Sequence, residues 1–386
     1  MITDVVEFTK KLISLPSITP QDAGAINFLK EVLEKYNFDC HCLDFSSGNV
    51  TVKNLYARLG NKSPNLCFAG HTDVVPPGDI KQWTSDPFKP EIRNDILYGR
   101  GAVDMKTTIC AFIIAVLELL NERYKIDGSI SLIITGDEEG DFSDYGTKSV
   151  LKWMRQNQQE VDHCIVGEPT SKEVLGDTIK IGSRGSANFN LKCYGTQGHV
   201  AYSQFADNPV SRMMLMLQRI KDSVPDRGSE YFDSSNCEIT TVDVGNDTTN
   251  IIPGLITARF NVRYNDYYTP DTLFKLIDNI CSEVTKKYEL SMDKGREVFV
   301  ITPNQYTDMM VNSIKKITGV NAKFSTSGGT SDAAFIKDMC PVVEFGLLNK
   351  TAHKIDENVA VDDIYKITQI YKEFIKNFFE LRKTIK

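Results

Sequence analysis

The sequence predicts an α/β fold in which a mixed, mostly parallel sheet is flanked by helices and interrupted by a smaller inserted domain. Two patterns lead to this prediction. Apolar strand-like runs alternate with helical patterns through the first part of the chain, which is typical of a parallel sheet. After about residue 183 the order changes to strand, helix, two strands, helix and strand, which is the ferredoxin-like α+β order.

Length and composition indicate a soluble enzyme-sized protein. A chain of 386 residues is long for one hydrophobic core, so two domains are expected. The formal net charge of −7 argues against nucleic acid or an anionic membrane surface as a partner. Nine cysteines, an odd number in mostly apolar surroundings, favour reduced thiols over a disulfide framework. We therefore expect a cytoplasmic protein with no nucleic-acid and no membrane partner.

The first helix is expected near the N-terminus. The basic segment followed by an apolar one that is typical of a secretory signal peptide is not seen there. Apolar residues between Val5 and Leu15 fall on one side of that helix. The longest apolar run, residues 110–120, is too short to span a bilayer and contains Glu118.

Three apolar runs in the first part of the chain are predicted strands, over residues 65–75, 129–140 and 161–170. Helices are predicted between them, over residues 104–122 and 146–157. Each of the three strands ends in polar or acidic residues. Because ligands bind at the carboxyl ends of parallel strands, we expect the functional site at that edge.

The inserted domain is predicted over residues 183–295. Its strands are expected in 184–195, 237–245, 255–264 and 289–293, with helices in 208–224 and 269–288. From about residue 297 the chain returns to alternating helices and strands. Residues 1–182 and 296–386 would therefore form one catalytic domain.

Residues 68–78 read FAGHTDVVPPG and place His71 and Asp73 on one face at the end of a strand. Three interpretations stay open at this point. The imidazole is a metal ligand with an orienting carboxylate, a base with its orienter, or part of a plain turn.

Further acids and a second histidine also follow predicted strand ends. The set comprises His71, Asp73, Asp104, Glu138, Glu139, Glu168 and His353. So many carboxylates at one edge would repel one another without a cation between them. Histidine and carboxylate ligands without a thiolate suit zinc, cobalt or manganese in a hydrolytic site.

Glu138 and Glu139 are informative as a pair, because neighbours in an extended segment point in different directions. One carboxylate can then bind a metal ion while the other accepts a proton from water. That division of roles is what hydrolysis of an unactivated amide requires.

Each motif also has an ordinary structural interpretation. Asp104 is suited to capping the next helix, and an acidic DEEG turn is usually solvated. His199 follows a glycine, a position where a histidine is more often incidental than functional. The glycine pair in residues 324–335 is nearly as consistent with a plain turn as with carboxylate binding. A dinucleotide loop is disfavoured because Asp104 replaces the expected third glycine. A non-catalytic metal-binding protein remains the alternative from another functional class.

The motifs, taken in order, resemble the M20 di-zinc aminoacylase and carboxypeptidase family. They are FAGHTDVVPPG, GRGAVDMK, TGDEEG, GEPT, GTQGHVAY and NKTAHKIDEN, and they are spread over most of the chain. Three longer stretches, residues 183–209, 326–335 and 342–359, are most similar to members that hydrolyse a succinylated diamino acid. Members that deacetylate amino acids or cleave peptides are the alternative.

The resemblance implies two Zn²⁺ ions per subunit, for which Co²⁺ would substitute. Asp104 would bridge the ions, with His71 and Glu168 completing one position and Glu139 and His353 the other. Asp73 would orient the His71 ring, Glu138 would be the general base, and the Asp104–Met105 peptide would be cis.

The resemblance also implies that the inserted domain serves as a dimerisation or lid domain. A homodimer would form through it, and the partner's His199 would stabilise the oxyanion. The substrate's carboxylates would be bound by Arg184, Tyr202, Asn250, Arg263, Gly329 and Thr330. One departure is Ala334, since relatives often carry an arginine after the TSDA or TSDG motif.

Overall fold

The computed structural model describes residues 4–140 and 143–381. Within these residues the helices are α1 Val5–Ile13, α2 Ala25–Glu34, α3 Lys106–Asn121, α4 Thr147–Gln156, α5 Val210–Ser223, α6 Pro270–Val284, α7 Gln305–Thr318, α8 Ala333–Ile336 and α9 Val361–Leu381. Short 3-10 helices occupy Ile80–Gln82, Ser143–Tyr145, Val200–Phe205 and Asn349–Thr351.

The strands of the same residues are β1 Asp39–Ser47, β2 Val50–Leu59, β3 Asn65–His71, β4 Glu91–Arg93, β5 Ile96–Tyr98, β6 Ser129–Thr135, β7 His163–Val166, β8 Thr178–Lys180, β9 Gly182–Ser183, β10 Gly185–Tyr194, β11 Gly198–His199, β12 Asn236–Asp243, β13 Ile251–Ile252, β14 Leu255–Tyr264, β15 Tyr288–Lys294, β16 Phe299–Val300, β17 Lys323–Ser325, β18 Val342–Glu344 and β19 Asn358–Ala360.

The described residues form two compact units. The first runs to Ile181 and resumes over Ile301–Ser325 and from Ser331 onward. The second comprises Gly182–Val300 together with Thr326–Thr330. The division expected from the sequence, with a catalytic domain over residues 1–182 and 296–386 and an inserted domain over 183–295, stays a prediction.

An eight-stranded sheet forms the centre of the first unit, in the order β1-β2-β6-β3-β7-β18-β8-β17. Strands β6, β3, β7 and β18 run parallel to one another, whereas β1, β2 and β6 pair antiparallel. The predicted mixed, mostly parallel sheet flanked by helices is therefore confirmed.

Helix α3 packs between α1 and α9 and forms much of the core of the first unit. It is apolar on every side, and residues 106–117 are all buried. Phe112 stacks on Phe68 of β3 with ring centroids 4.5 Å apart, and both rings contact Tyr371 of α9 edge-on. This packing fixes β3, the strand that ends at His71.

The second unit contains a four-stranded antiparallel sheet in the order β12-β14-β10-β15, with α5 and α6 packed against it. Numbered by position in the unit, this order is 2-3-1-4, the ferredoxin-like arrangement that the strand and helix order predicted. Phe189 and Phe260 stack in its core with centroids 5.0 Å apart. Both β12 and β15 are edge strands.

No helix in the described part of the chain combines the length and apolar character that a membrane crossing needs. All nine cysteines lie in the described residues and none is paired in a disulfide.

Candidate metal centre

The carboxyl ends of three parallel strands meet at one edge of the sheet. His71 is the last residue of β3 and pairs in register with Thr135, the last residue of β6. Ala69 pairs with Val166, the last residue of β7. The strands are shorter than predicted, because the residues after Thr135 and Val166 leave the sheet and form loops. Those loops carry Glu138, Glu139 and Glu168 to the end of β3.

The His71 ring is held in one orientation. It is 1% exposed, and its Nδ1 donates a hydrogen bond of 2.9 Å to the main-chain carbonyl of Asp73. A carbonyl only accepts, so Nδ1 carries a proton and Nε2 is left to face the carboxylates. Nε2 lies 3.3 Å from Oδ1 of Asp104 and 3.6 Å from Oε1 of Glu168.

Asp104 lies between two histidines. Its Oδ1 faces His71, and its Oδ2 lies 2.9 Å from Nε2 of His353. The same Nε2 is 2.7 Å from Oε1 of Glu139. Each oxygen of one carboxylate is therefore directed at a different imidazole, an arrangement suited to bridging two cations. The Asp104–Met105 peptide is cis.

Two overlapping groups bring ligand atoms within 4.8 Å of one another. One contains His71, Glu138 and Glu168, and the other contains His71, Asp104 and Glu139. The predicted acidic residues therefore do converge, although they come from segments far apart in the chain.

The charges of this cluster are strongly coupled. Burial, and then the charge of Asp104, raise the pKa of Glu168 well above its ordinary value. Burial would also raise the pKa of Asp104, but the two imidazoles hold it well below its usual range. Hydrogen bonding to Asp104 and then to Glu139 raises the pKa of His353 to about 10. The raised pKa values of Glu168 and His353 favour protons on these two groups, and a metal ion bound here would take the place of those protons.

The donor set fits a divalent cation. Nε2 of His71 and Oδ1 of Asp104 are both buried, and within residues 4–140 and 143–381 neither has a hydrogen-bond partner. Leaving buried polar atoms unpaired costs free energy, and a cation between an imidazole and carboxylates removes that cost. His71, Asp104 and Glu168 would hold one ion, and Asp104, Glu139 and His353 a second.

The Asp73 carboxylate does not make the contact that the sequence suggested. Its Oδ1 is 3.6 Å from Nδ1 of His71, and the main-chain carbonyl of the same residue accepts the ring hydrogen bond instead. The two carboxylate oxygens accept from the main-chain N–H groups of Glu138 and Glu139, at 3.1 and 3.0 Å. Burial raises the pKa of Asp73 to about 6. Asp73 thus anchors both the imidazole and the acidic loop.

Sequence reasoning missed Arg100 and Glu357, a buried ion pair beside Asp104 and His353. Both lie within quoted motifs, GRGAVDMK and NKTAHKIDEN, but neither motif indicates that the two charges meet. Only the distance between the two segments in the folded chain shows it.

The remaining predicted residues lie in the second unit, where they fall into two groups. In the first, His199 pairs across β11 and β13 with Ile251, next to Asn250, and its ring lies 5.5 Å from that of Tyr202. Nδ1 of His199 accepts from the N–H of Ala201, which leaves Nε2–H as an exposed donor.

The second group is basic. Nη1 of Arg184 donates to the carbonyl of Ser234 and to Oδ1 of Asn236. Burial, and then the charges of Arg184 and Arg296, lower the pKa of Arg263, so three guanidinium groups lie near one another. Arg296 was not predicted. Gly329 and Thr330 lie in the short segment that groups with this unit, and Ala334 is buried in α8 of the first unit.

Comparison with known proteins identifies the family. The pattern of peptidase family M20/M25/M40 matches residues 67–377. The chain belongs to this family. The same span contains every residue of the candidate metal centre.

Similar curated proteins support the same assignment. The chain is 58% identical to a succinyl-diaminopimelate desuccinylase of Wolbachia pipientis (strain wPip), over 98% of the chain and 94% of that protein. It is 56% identical to the succinyl-diaminopimelate desuccinylase of Ehrlichia canis, over 99% of the chain and 100% of that protein. A tripeptidase from Staphylococcus aureus has the same fold, with a TM-score of 0.81, 19% identity and coverage of 97% and 98%.

Proposed function

We propose that this protein hydrolyses N-succinyl-LL-2,6-diaminopimelate to succinate and LL-2,6-diaminopimelate, a step of diaminopimelate and lysine biosynthesis. The observation that carries the chemistry is the Asp104 carboxylate, whose two oxygens face His71 and His353. The full-length similarity to curated desuccinylases supports the substrate.

The proposed cofactor is a pair of Zn²⁺ ions, with Co²⁺ as a substitute. His71 and Glu168 would hold one ion and Glu139 and His353 the other, with Asp104 shared. When bound, the ions would polarise the substrate carbonyl and lower the pKa of water.

Glu138 is the proposed general base. It takes a proton from the attacking water and, as the C–N bond breaks, delivers that proton to the leaving amine. Asp73 holds the main chain of Glu138 and Glu139 and thereby aims their two carboxylates. The Nε2–H of His199 from a partner subunit would donate to the oxyanion.

The proposed substrate-binding residues belong to the second unit. Arg184 and Arg263 supply the guanidinium groups that bind carboxylates in a bidentate manner. Tyr202, Asn250, Gly329 and Thr330 are proposed to add polar contacts to the substrate. Burial, and then repulsion from Arg184 and Arg296, lower the pKa of Arg263, and a bound carboxylate would offset both effects.

A homodimer is proposed to form through the second unit. Strand β12 pairs only with β14 in the described residues, and Val242 at this edge is 52% exposed. Helix α5 contacts β12 and exposes Met214 and Leu215 at 65% and 45%. An unpaired edge beside exposed apolar side chains favours pairing with a second copy.

Nine unpaired cysteines support a reducing compartment, for which we propose the cytoplasm.

Metal content and substrate preference together test the proposed function. The purified protein is assayed on N-succinyl-LL-2,6-diaminopimelate and on N-acetylornithine, before and after chelation and after Zn²⁺ or Co²⁺ is restored. We expect metal-dependent hydrolysis with a clear preference for the succinylated substrate. Equal or faster turnover of acetylornithine would overturn the substrate assignment, and full activity after complete chelation would overturn the metal centre.

A further inference from the structure

Arg100 and Glu357 form a buried ion pair next to the candidate metal centre, with neither residue in the proposed ligand set. Nη1 of Arg100 lies 2.7 Å from Oε2 of Glu357, and the residues are 2% and 0% exposed. A buried ion pair gives little net stability over a well-packed apolar pair. Net stability alone therefore does not account for this buried pair.

The Glu357 carboxylate holds the main chain that leads into Asp104. Oε2 accepts from the N–H of Gly101 at 3.0 Å, and Oε1 accepts from the N–H groups of Val103 and Asp104 at 2.8 and 3.0 Å. Three N–H groups from one turn thus converge on a single carboxylate. The position of the Asp104 backbone is consequently set by Glu357.

The Arg100 guanidinium holds the segment that carries His353. It donates from Nη1 to the carbonyl of Lys354 at 3.2 Å and from Nη2 to the carbonyl of His353 at 3.4 Å. His353 itself has a φ of 63°, an uncommon backbone conformation for a residue other than glycine. External hydrogen bonds of this kind keep such a conformation in place.

We infer that the Arg100–Glu357 pair is a positioning device that fixes Asp104 and His353 relative to each other. Its effect on the two metal positions is unequal. His71 is held independently by β3 and by the carbonyl of Asp73. The ion held by Asp104, Glu139 and His353 would take two ligands from segments that the pair holds, whereas the ion held by His71, Asp104 and Glu168 would take only one. The first ion therefore depends on the pair more than the second does. The inference rests on the proposed metal centre but not on the proposed substrate.

Zinc titration of the metal-free protein tests the inference. In Glu357→Gln the side chain keeps one acceptor oxygen, while its NH₂ group meets donors of Arg100 and Gly101. By calorimetry we expect one Zn²⁺ ion to bind about 10–100-fold more weakly than in the parent protein, the range usual for residues that orient metal ligands. The other ion should bind within about threefold of the parent value. The visible absorption of the Co²⁺-loaded protein should change at one of its two ions only.

Arg100→Lys provides a second, independent variant, because it keeps the charge but loses the fork that reaches the carbonyls of Lys354, His353 and Pro76. We expect the same selective weakening, to a smaller degree. Glu118→Gln is the matched control, because it removes a carboxylate of α3 that is paired with Lys372 of α9. Glu118 lies roughly 18 Å along α3 from Lys106, the first residue of that helix. That variant should bind both ions as the parent does.

Three results would overturn the inference. One is unchanged affinity for both ions in Glu357→Gln and Arg100→Lys. Another is equal weakening of the binding of both ions, because the pair would then not act on one metal position more than on the other. The third is loss of the native circular dichroism spectrum in both variants, which would make the pair a folding element. Failure of the proposed function looks different: the parent would bind two ions and leave the succinylated substrate intact.

Discussion

Glu138 and Glu139 are adjacent residues, but their side chains lie in different environments within the candidate metal centre. Both main-chain N–H groups donate to Asp73, so the two side chains start from a fixed segment. Glu139 contacts His353 at 2.7 Å, whereas a carboxylate oxygen of Glu138 approaches His71 and Glu168. Their substitutions should therefore separate proton transfer from metal binding.

Glu138→Gln should lower kcat by about 10²–10⁴-fold while both metal ions stay bound, because only the proton acceptor is lost. Glu139→Gln is its matched counterpart and should lower metal content together with activity. Steady-state kinetics combined with elemental analysis of the dialysed proteins measures both effects. Loss of metal in Glu138→Gln, or full activity in that variant, would show that the two roles are assigned wrongly.

Zinc affinity should rise with pH, because a protonated His353 competes with the ion. Hydrogen bonding to Asp104 and then to Glu139 raises the pKa of His353 from 6.5 to about 10. Protonated His353 therefore stabilises the metal-free protein fully below pH 6.5, and this stabilisation is lost as the pH rises towards 10. Each proton released on binding makes the affinity up to about tenfold higher per pH unit. Competition titrations with a chelator between pH 6 and 8 measure the slope.

His353→Gln is the control for this slope, since its amide does not titrate. The variant should bind Zn²⁺ more weakly, and its affinity should depend less steeply on pH. An identical slope in the two proteins would assign the released proton to another group.

At the scale of single elements, most of the fold could be predicted from periodicity. The strand expected over residues 255–264 is found as Leu255–Tyr264, and the helix expected over 208–224 as Val210–Ser223. The strands at the site were predicted too long. Their polar ends follow the apolar run without a break, so hydrophobicity does not mark where the chain leaves the sheet.

The convergence of His71, Glu138, Glu139 and Glu168 could be predicted because each lies at or just after a strand end, but the contacts that support these residues could not. The acceptor of the His71 ring is a main-chain carbonyl, and any residue at position 73 would supply one. Arg100 and Glu357 meet from segments more than 250 residues apart. Neither kind of contact leaves a local pattern in the sequence.

Lys106 gives a prediction at the start of α3. Its side chain is completely buried, and Nζ donates to the carbonyls of Leu12 and Leu15 at the end of α1. Burial lowers the pKa of Lys106 from 10.5 to about 7. Between these values the unfolded chain binds a proton that the folded chain does not, so stability rises with pH.

The free energy of unfolding of the parent, relative to Lys106→Met, should therefore increase by about 1.4 kcal/mol per pH unit from pH 7 towards 10. Urea unfolding of both proteins at several pH values measures it. Parallel curves would mean that Lys106 titrates in the folded protein as it does in the unfolded chain.

At the scale of the whole molecule, the proposed dimer predicts that catalysis depends on a neighbour. Val242→Lys places a charge on the open edge of β12 and should shift the mass in light scattering from a dimer towards the 43.4 kDa monomer. Activity should fall with it, because the partner's His199 is lost. Ser291→Lys on the opposite edge strand, β15, is the matched control and should leave both mass and activity unchanged.

Mixing two inactive variants tests the shared site directly. His199→Ala and Glu138→Gln subunits, unfolded and refolded together, should recover about a quarter of the parent activity, because half of the dimers are mixed and each holds one intact site. No recovery from a mixture that does form dimers would place His199 in its own subunit's chemistry.

The packing of α3 has a consequence for how the chain emerges from the ribosome. This helix is apolar on every side, and its last covering element, α9, follows it by roughly 240 residues. At a synthesis rate of about 5–20 residues per second, that interval is about 10–50 seconds. During this interval the nascent chain exposes an apolar helix, and a chaperone or a transient collapsed state must shield that helix until α9 has been synthesised.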